Sequence, residues 1–166
     1  MMKILVLSDS HSGLNFMREC IRKTKPDAVV HLGDYLEDGR TMEEEFPQLP
    51  FFMVPGNCDR TRFTMGVPPV LVREVCGVKL FMTHGHLQGV KITRDPLIES
   101  ARAAGAAAAL YGHTHVPDCR LLSDDMWLIN PGTCSSSGGT CALIFTDAGQ
   151  ITKAWILDRS DLEAME

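Results

Sequence analysis

Each apolar run in the first two thirds of the chain ends in a short motif of Gly, Asp, Asn or His, and this pattern constrains the fold more than any other feature. The run over residues 3 to 8, with Ile4-Leu5-Val6-Leu7 at its centre, stops at Asp9-Ser10-His11. Val29-Val30 opens a run that stops at Gly33-Asp34, and Phe51 to Val54 leads to Gly56-Asn57. Val78 to Met82 runs into Thr83-His84-Gly85-His86, and Ala108 to Tyr111 into Gly112-His113-Thr114-His115. Apolar runs of this length between turn residues predict strands. Between the first of them, Leu14, Met17 and Ile21 share a helical face in a stretch from Leu14 to Lys25 that must stop before Pro26. The charged segment through Glu43-Glu44-Glu45 predicts an exposed helix whose acidic run is a solvated face.

From Val70 the pattern changes. Val70 to Val75, a Cys76-Gly77 turn and Val78 to Met82 predict a β-hairpin. A helix over Pro96 to Ala104 follows. Cys119 to Leu122, Met126 to Ile129, Cys141 to Phe145 and Ile151 to Leu157 then predict successive strands. The expectation is parallel α/β followed by an antiparallel meander, with two facing sheets flanked by helices to bury both kinds of strand. No repeat or linker divides residues 1–166, which are expected to form a single domain, and Ser135-Ser136-Ser137-Gly138-Gly139 is expected to be a flexible loop.

Composition narrows the function. A chain of 166 residues buries roughly two-thirds of the surface its unfolded form exposes and needs no disulfide to be stable. The net charge of -5, without a Lys/Arg stripe, argues against routine binding of duplex DNA or RNA. Cys20, Cys58, Cys76, Cys119, Cys134 and Cys141 show no zinc-knuckle or redox spacing and are expected to be reduced thiols. The N-terminus is too short for a signal-peptide core and no apolar stretch is long enough to span a bilayer, so a cytoplasmic protein without membrane contact is expected.

The five motifs supply carboxylate oxygen, imidazole nitrogen and amide oxygen, a donor set that suits Mn²⁺, Fe²⁺, Zn²⁺, Co²⁺ or Ni²⁺ better than Ca²⁺. Carboxyl ends of parallel strands share one edge of a sheet, so all five can converge on one cleft. Alternation along an extended segment would aim Asp9 with His11, and His113 with His115, the same way. The adjoining glycines permit tight turns and leave space at the centre. Any one motif is more often a helix cap, a plain turn or a surface histidine. Five in order, holding five of the six histidines, favour a metal site.

The ordered set Asp9-Ser10-His11, Gly33-Asp34, Gly56-Asn57-Cys58-Asp59, Thr83-His84-Gly85-His86 and Gly112-His113-Thr114-His115 resembles the signature of the calcineurin-like metallophosphoesterases, and the resemblance extends to Asn130-Pro131-Gly132-Thr133. The short chain and the Gly-Asn-Cys-Asp variant are similar to the small bacterial and archaeal phosphodiesterase branch. The resemblance implies a four-layered αββα sandwich of two mixed β-sheets flanked by helices. It implies that Asp9, His11 and His115 hold one divalent metal ion, Asn57, His84 and His113 a second, and that Asp34 bridges them, with Mn²⁺ the leading choice. Two such ions about 3.5–4 Å apart can hold a shared hydroxide that attacks phosphorus in line with the leaving group. The expected catalytic set is Asp34, Asn57, Cys58 and His86.

One position departs from the wider family, in which a histidine that assists the leaving group commonly follows the asparagine; here it is Cys58. A thiol is a weaker acid for this task than an imidazolium, so aryl esters should be cleaved faster than alkyl ones unless His86 or a metal-bound water supplies the proton. Cys58 as a mere space-filler is the equal alternative. Asp59 is expected to orient a ligand or its loop, His86 to contact substrate or support a ligand, and His31 to satisfy a local hydrogen bond. The segment between Asp34 and Asn57 leaves no room for a lid, so an open cleft bordered by residues 60–69 and 134–139 is expected, with Arg60 and Arg62 either steering a second phosphate or serving as surface charges. An open cleft leans toward a small phosphodiester substrate. The alternatives are a phosphomonoesterase with the same metal core and a non-catalytic protein-binding scaffold, since the same fold occurs in a retromer subunit. Nuclease action on structured nucleic acid is disfavoured by the acidic balance. A homo-oligomer built on the hydrophobic C-terminal strands stays open.

Overall fold

A computed structural model describes residues 1–59, 64–135 and 138–165. Strands β1 (Met2–Leu7), β2 (Ala28–His31) and β3 (Phe51–Met53) run parallel and are linked by helices α1 (Leu14–Thr24) and α2 (Leu36–Glu45). Strands β4 (Val70–Val75) and β5 (Val78–Thr83) form the expected hairpin. Cys76 (φ 50°) and Gly77 (φ 80°) occupy its two turn positions, the left-handed pair that matches strand twist. Helix α3 (Asp95–Ala103) leads to β6 (Ala108–Leu110), followed by β7 (Asp118–Leu121), β8 (Trp127–Asn130), β9 (Thr140–Asp147), β10 (Gln150–Asp158) and α4 (Arg159–Ala164).

Two five-stranded mixed sheets result, in the orders β10-β9-β1-β2-β3 and β4-β5-β6-β8-β7. Between them lies a core of Ile4, Val6, Val30, Leu80, Met82, Leu110, Ile129 and Ile144. Leu5, Leu7, Val29 and Leu143 face the other way, onto Phe16, Met17, Cys20 and Ile21 of α1 and Leu162 of α4. Phe81, Ala109 and Leu128 face Leu97 and Ala101 of α3. Helix, sheet, sheet and helix therefore stack in four layers. Strand β1 is apolar throughout because both its faces are covered, and Ile4, Leu5, Val6 and Leu7 are fully buried. Helix α1 ends as its sequence predicts: Lys25 turns left-handed (φ 47°) and its N–H caps the Ile21 carbonyl, one residue before Pro26.

The C-terminal third is not one meander. The β7–β8 hairpin closes the second sheet, with β8 parallel to β6, whereas the β9–β10 hairpin joins the first sheet beside β1. Strand β9 is buried on both faces in the first sheet, as β8 is in the second. Ala142 and Ile144 enter the inter-sheet core while Cys141 and Leu143 enter the helical layer, and the first sheet, flanked by α1 and α4, offers both covers. Helix α4 was also unforeseen, although Asp158 and Asp161 form a capping box that marks its start. Among the described residues no helix is long and apolar enough to cross a membrane. Arg60, Arg62, Ser136 and Ser137, singled out in the sequence, lie outside the described residues.

Candidate metal centre

The carboxyl ends of β1, β2, β3, β5 and β6 open on one side of the sandwich and bring the five motifs together. Ligand-type atoms of Asp9, His11, Asp34 and His115 all lie within 4.8 Å of one another. His115 Nε2 is 3.1 Å from Asp9 Oδ1, and His11 Nε2 is 4.0 Å from Asp34 Oδ2. His84 Nε2 lies 3.0 Å from Asn57 Oδ1, 3.5 Å from Asp34 Oδ1 and 3.8 Å from Asp9 Oδ1. The His113 and His86 rings stand 5.1 and 5.4 Å from the His84 ring. Asp9 and His84 form the buried floor, while Asn57, Cys58 and His115 are exposed at the rim.

The side chains do not converge by strand alternation. Asp9 (φ 53°), His11 (φ 42°), Asp34 (φ 54°), His113 (φ 69°) and His115 (φ 61°) all adopt left-handed backbone, which costs free energy at non-glycine residues and concentrates at functional sites. Bare backbone at the neighbouring glycines makes room for these turns. A Cβ on Gly56 would collide with Asp34 Oδ1, and one on Gly112 with Ser8 Oγ and Asp9 Oδ2.

Hydrogen bonds from outside the cluster orient the donors. Asp9 Oδ2 accepts from Ser8 Oγ at 2.5 Å and from the His113 N–H at 3.1 Å, which leaves Oδ1 for the cluster. Asp34 Oδ1 accepts the Cys58 N–H at 2.9 Å. His84 Nδ1 meets the Leu32 carbonyl at 2.7 Å; a carbonyl can only accept, so Nδ1 carries a proton and Nε2 is the ring atom turned toward the three oxygens. Asp59 accepts from the N–H groups of Asp34, Leu36 and Gly56 at 3.0, 2.6 and 2.7 Å, tying the loops after β2 and β3 together, as its expected supporting role requires.

The cluster fits a cation. Among the described residues, the buried side-chain polar atoms without a hydrogen-bond partner are Asp9 Oδ1, His11 Nε2 and His86 Nδ1, all at this centre. Carboxylate and imidazole lone pairs facing each other at these distances repel unless a positive charge lies between them. Burial pushes His113 and His86 below the ordinary histidine value, helped in each by His84, so both rings stay neutral and able to donate a lone pair. Burial would raise the Asp34 carboxyl, but the Cys58 N–H bond and the neighbouring His84 and His11 outweigh it and hold the group below the usual carboxylate value. Burial and the Asp34 carboxylate push the Cys58 thiol up. His31 lies behind the cluster with its ring nitrogens bonded locally, as expected.

An αββα sandwich carrying Asp, Asn and His donors at the strand ends on one side has the architecture of a metallophosphoesterase. The chain belongs to the calcineurin-like phosphoesterase superfamily, whose domain profile matches residues 2–148. It is 33% identical over 136 residues to the Bacillus subtilis protein YsnB, named a probable metallophosphoesterase, covering 80% of this chain and 75% of that one. It is 29% identical over 148 residues to a phosphodiesterase of Methanocaldococcus jannaschii, covering 80% and 84%. A Streptococcus pneumoniae crystal structure described as a predicted phosphoesterase superposes with a TM-score of 0.72 at 28% identity, over 95% of this chain and 98% of the other. Vps29 of Chaetomium thermophilum shares the fold, with a TM-score of 0.74 at 14% identity over 95% and 97%.

Proposed function

We propose that this protein is a phosphodiesterase that works with two divalent metal ions, Mn²⁺ foremost. Asp9, His11 and His115 would hold one ion, Asn57, His84 and His113 the other, and Asp34 would lie between them. The observation that carries this reading is the gathering of Asp9, His11, Asp34 and His115 ligand atoms within 4.8 Å of one another, with Asp9 Oδ1 and His11 Nε2 lacking a hydrogen-bond partner. Bound there, a pair of divalent ions supplies Lewis-acid activation of water and, because the chain counters them with only two carboxylates, a surplus of positive charge for an anionic ester.

The chain's own groups do the rest. Leu32 fixes the His84 tautomer, Ser8 and the His113 N–H fix the Asp9 carboxylate, and the Cys58 N–H fixes Asp34, so the donors are set before substrate arrives. Asn57 and Cys58 at the exposed rim stand where an entering phosphoryl group meets the site. His86, with Nδ1 lacking a hydrogen-bond partner, would hold a substrate oxygen through a ring N–H or support a neighbouring ligand. Cys58 is a poor acid, since its thiol is pushed up, so leaving groups that need little protonation are favoured.

The site loops enclose no lid among the described residues, which supports a diester with two substituents over a tightly enclosed monoester. Turnover of bis(p-nitrophenyl) phosphate should exceed that of p-nitrophenyl phosphate with Mn²⁺ present. Faster monoester turnover would make the protein a phosphomonoesterase, and no turnover of either ester with any divalent metal would favour a protein-binding role.

A further inference from the structure

Behind the ligand cluster runs a buried polar chain that the proposed reaction does not use. The Gly33 N–H donates to His31 Nδ1 at 3.2 Å, so that nitrogen is the acceptor and Nε2 carries the ring proton. Nε2 then donates to Ser10 Oγ at 3.1 Å. Ser10 Oγ donates onward to Asp38 Oδ2 at 2.7 Å, and the same carboxylate oxygen accepts the Ser12 N–H at 2.8 Å. His31 and Ser10 are fully buried and Asp38 is 5% exposed. The Ser10 hydroxyl also lies 3.4 Å from the Asp34 carbonyl, but the Asp38 carboxylate at 2.7 Å is its nearer acceptor, so the chain runs from Gly33 to Asp38.

This chain joins the end of β2, the loop after β1 and the first turn of α2. Ser10 lies between Asp9 and His11, and Asp9, His11 and Ser12 all hold left-handed backbone (φ 53°, 42° and 67°) that surrounding contacts must enforce. Asp38 bonds both Ser10 and Ser12, which bracket His11. Its own position is set by the Asp38 N–H bond to the Tyr35 carbonyl at 2.9 Å and by the close seat of α2 on β2, where a Cβ on Gly39 would approach Met53 Sδ to 2.8 Å and His31 Cγ to 3.3 Å.

We propose that Asp38, acting through Ser10 and Ser12 and backed by His31, is a positioning residue that holds the Asp9–His11 turn in ligating geometry and thereby sets cation affinity at the Asp9, His11, Asp34 and His115 cluster. The inference rests on the reading of that cluster as a metal site. A carboxylate that merely stabilised the fold would change unfolding without singling out one cation.

The test is Mn²⁺ binding by equilibrium dialysis and metal analysis on metal-stripped wild type, Asp38→Ala, Asp38→Asn and Ser10→Ala, alongside thermal unfolding of the metal-free forms. A single oxygen accepts both bonds, so Asp38→Asn with its amide oxygen in that place should bind nearly as wild type. Asp38→Ala should weaken one Mn²⁺ equivalent by about 10–100-fold and spare the other, the usual loss when support behind a ligand is removed. Folded Asp38→Ala with wild-type affinity for both equivalents, equal weakening of both, or Asp38→Asn as impaired as Ala, would overturn the proposal. Should Asp38→Ala fail to fold, Ser10→Ala, which deletes one hydroxyl, decides by the same criterion. Wild-type protein that binds no Mn²⁺ would instead overturn the metal-centre reading, and the proposal with it.

Discussion

Cys58 stands exposed beside the Asp34 carboxylate, where the wider family commonly has a histidine, and its chemistry sets a residue-scale expectation. Cys58→His should raise the rate for alkyl diesters more than for p-nitrophenyl ones; a plot of rate against leaving-group pKa should flatten, and an unchanged slope would make Cys58 a space-filler. His31 carries a second expectation. Burial lowers its pKa against the opposing pull of Asp38. A folded state that resists protonation binds fewer protons than the unfolded one, so stability falls as pH drops through the unfolded histidine value of about 6.5. Urea unfolding of metal-free protein from pH 8 to pH 5 should show that decline, and His31→Gln should remove part of it. The gathering of Asp9, His11, Asp34, Asn57, His84, His113 and His115 at one centre was legible in the sequence because these residues follow the strand ends. Their backbone was not. Asp9 and His11 converge through left-handed turns, and nothing in one sequence distinguishes such a turn at Asp or His from an extended pair. Ser10 and Asp38 were missed for a related reason: their roles arise from a contact across 28 positions.

At the scale of elements, the helical layer under β1 carries the Asp9–His11 turn. Phe16 on α1 is buried against Leu5 and Leu7, and its ring lies so close to Gly139 that a Cβ there would strike it. Phe16→Ala should cost roughly 3–5 kcal/mol of stability, measured by denaturant unfolding. A loss below about 1 kcal/mol, outside the usual cost of such a deletion, would mean that α1 is not fastened as described. Strand and helix periodicity revealed β1 to β6, α1 and α3 within a residue or two, since each is buried with a regular repeat, whereas α2 was announced only by its charged end at Glu43-Glu44-Glu45. The division of the last hairpins between two sheets was hidden, because β8 and β9 are both apolar runs buried on both faces and their patterns do not say which sheet each joins. Helix α4 escaped because six residues offer little periodicity and only the capping pair Asp158 and Asp161 announces it.

Across the whole molecule, two sheets place five strand ends around one centre, and the acid-rich chain gathers its histidines there. Cations that bind the folded form alone should stabilise it. At a hundredfold excess over Kd one site contributes about 2.7 kcal/mol, or roughly 5–10 °C in Tm for a chain of this size. A melt with and without Mn²⁺ checks this, and chelator should reverse the shift. The αββα layers are shared with Vps29, so architecture alone does not decide between catalysis and a binding platform; turnover does. The most direct measurement is turnover of bis(p-nitrophenyl) phosphate by metal-stripped protein as Mn²⁺ is titrated in, with Asp34→Asn beside it. The two-ion account predicts no turnover without metal, a plateau at two equivalents per chain, and at least about a hundredfold loss in Asp34→Asn, beyond the cost of a mere supporting residue. Turnover that saturates at one equivalent, or that survives in Asp34→Asn, would contradict it.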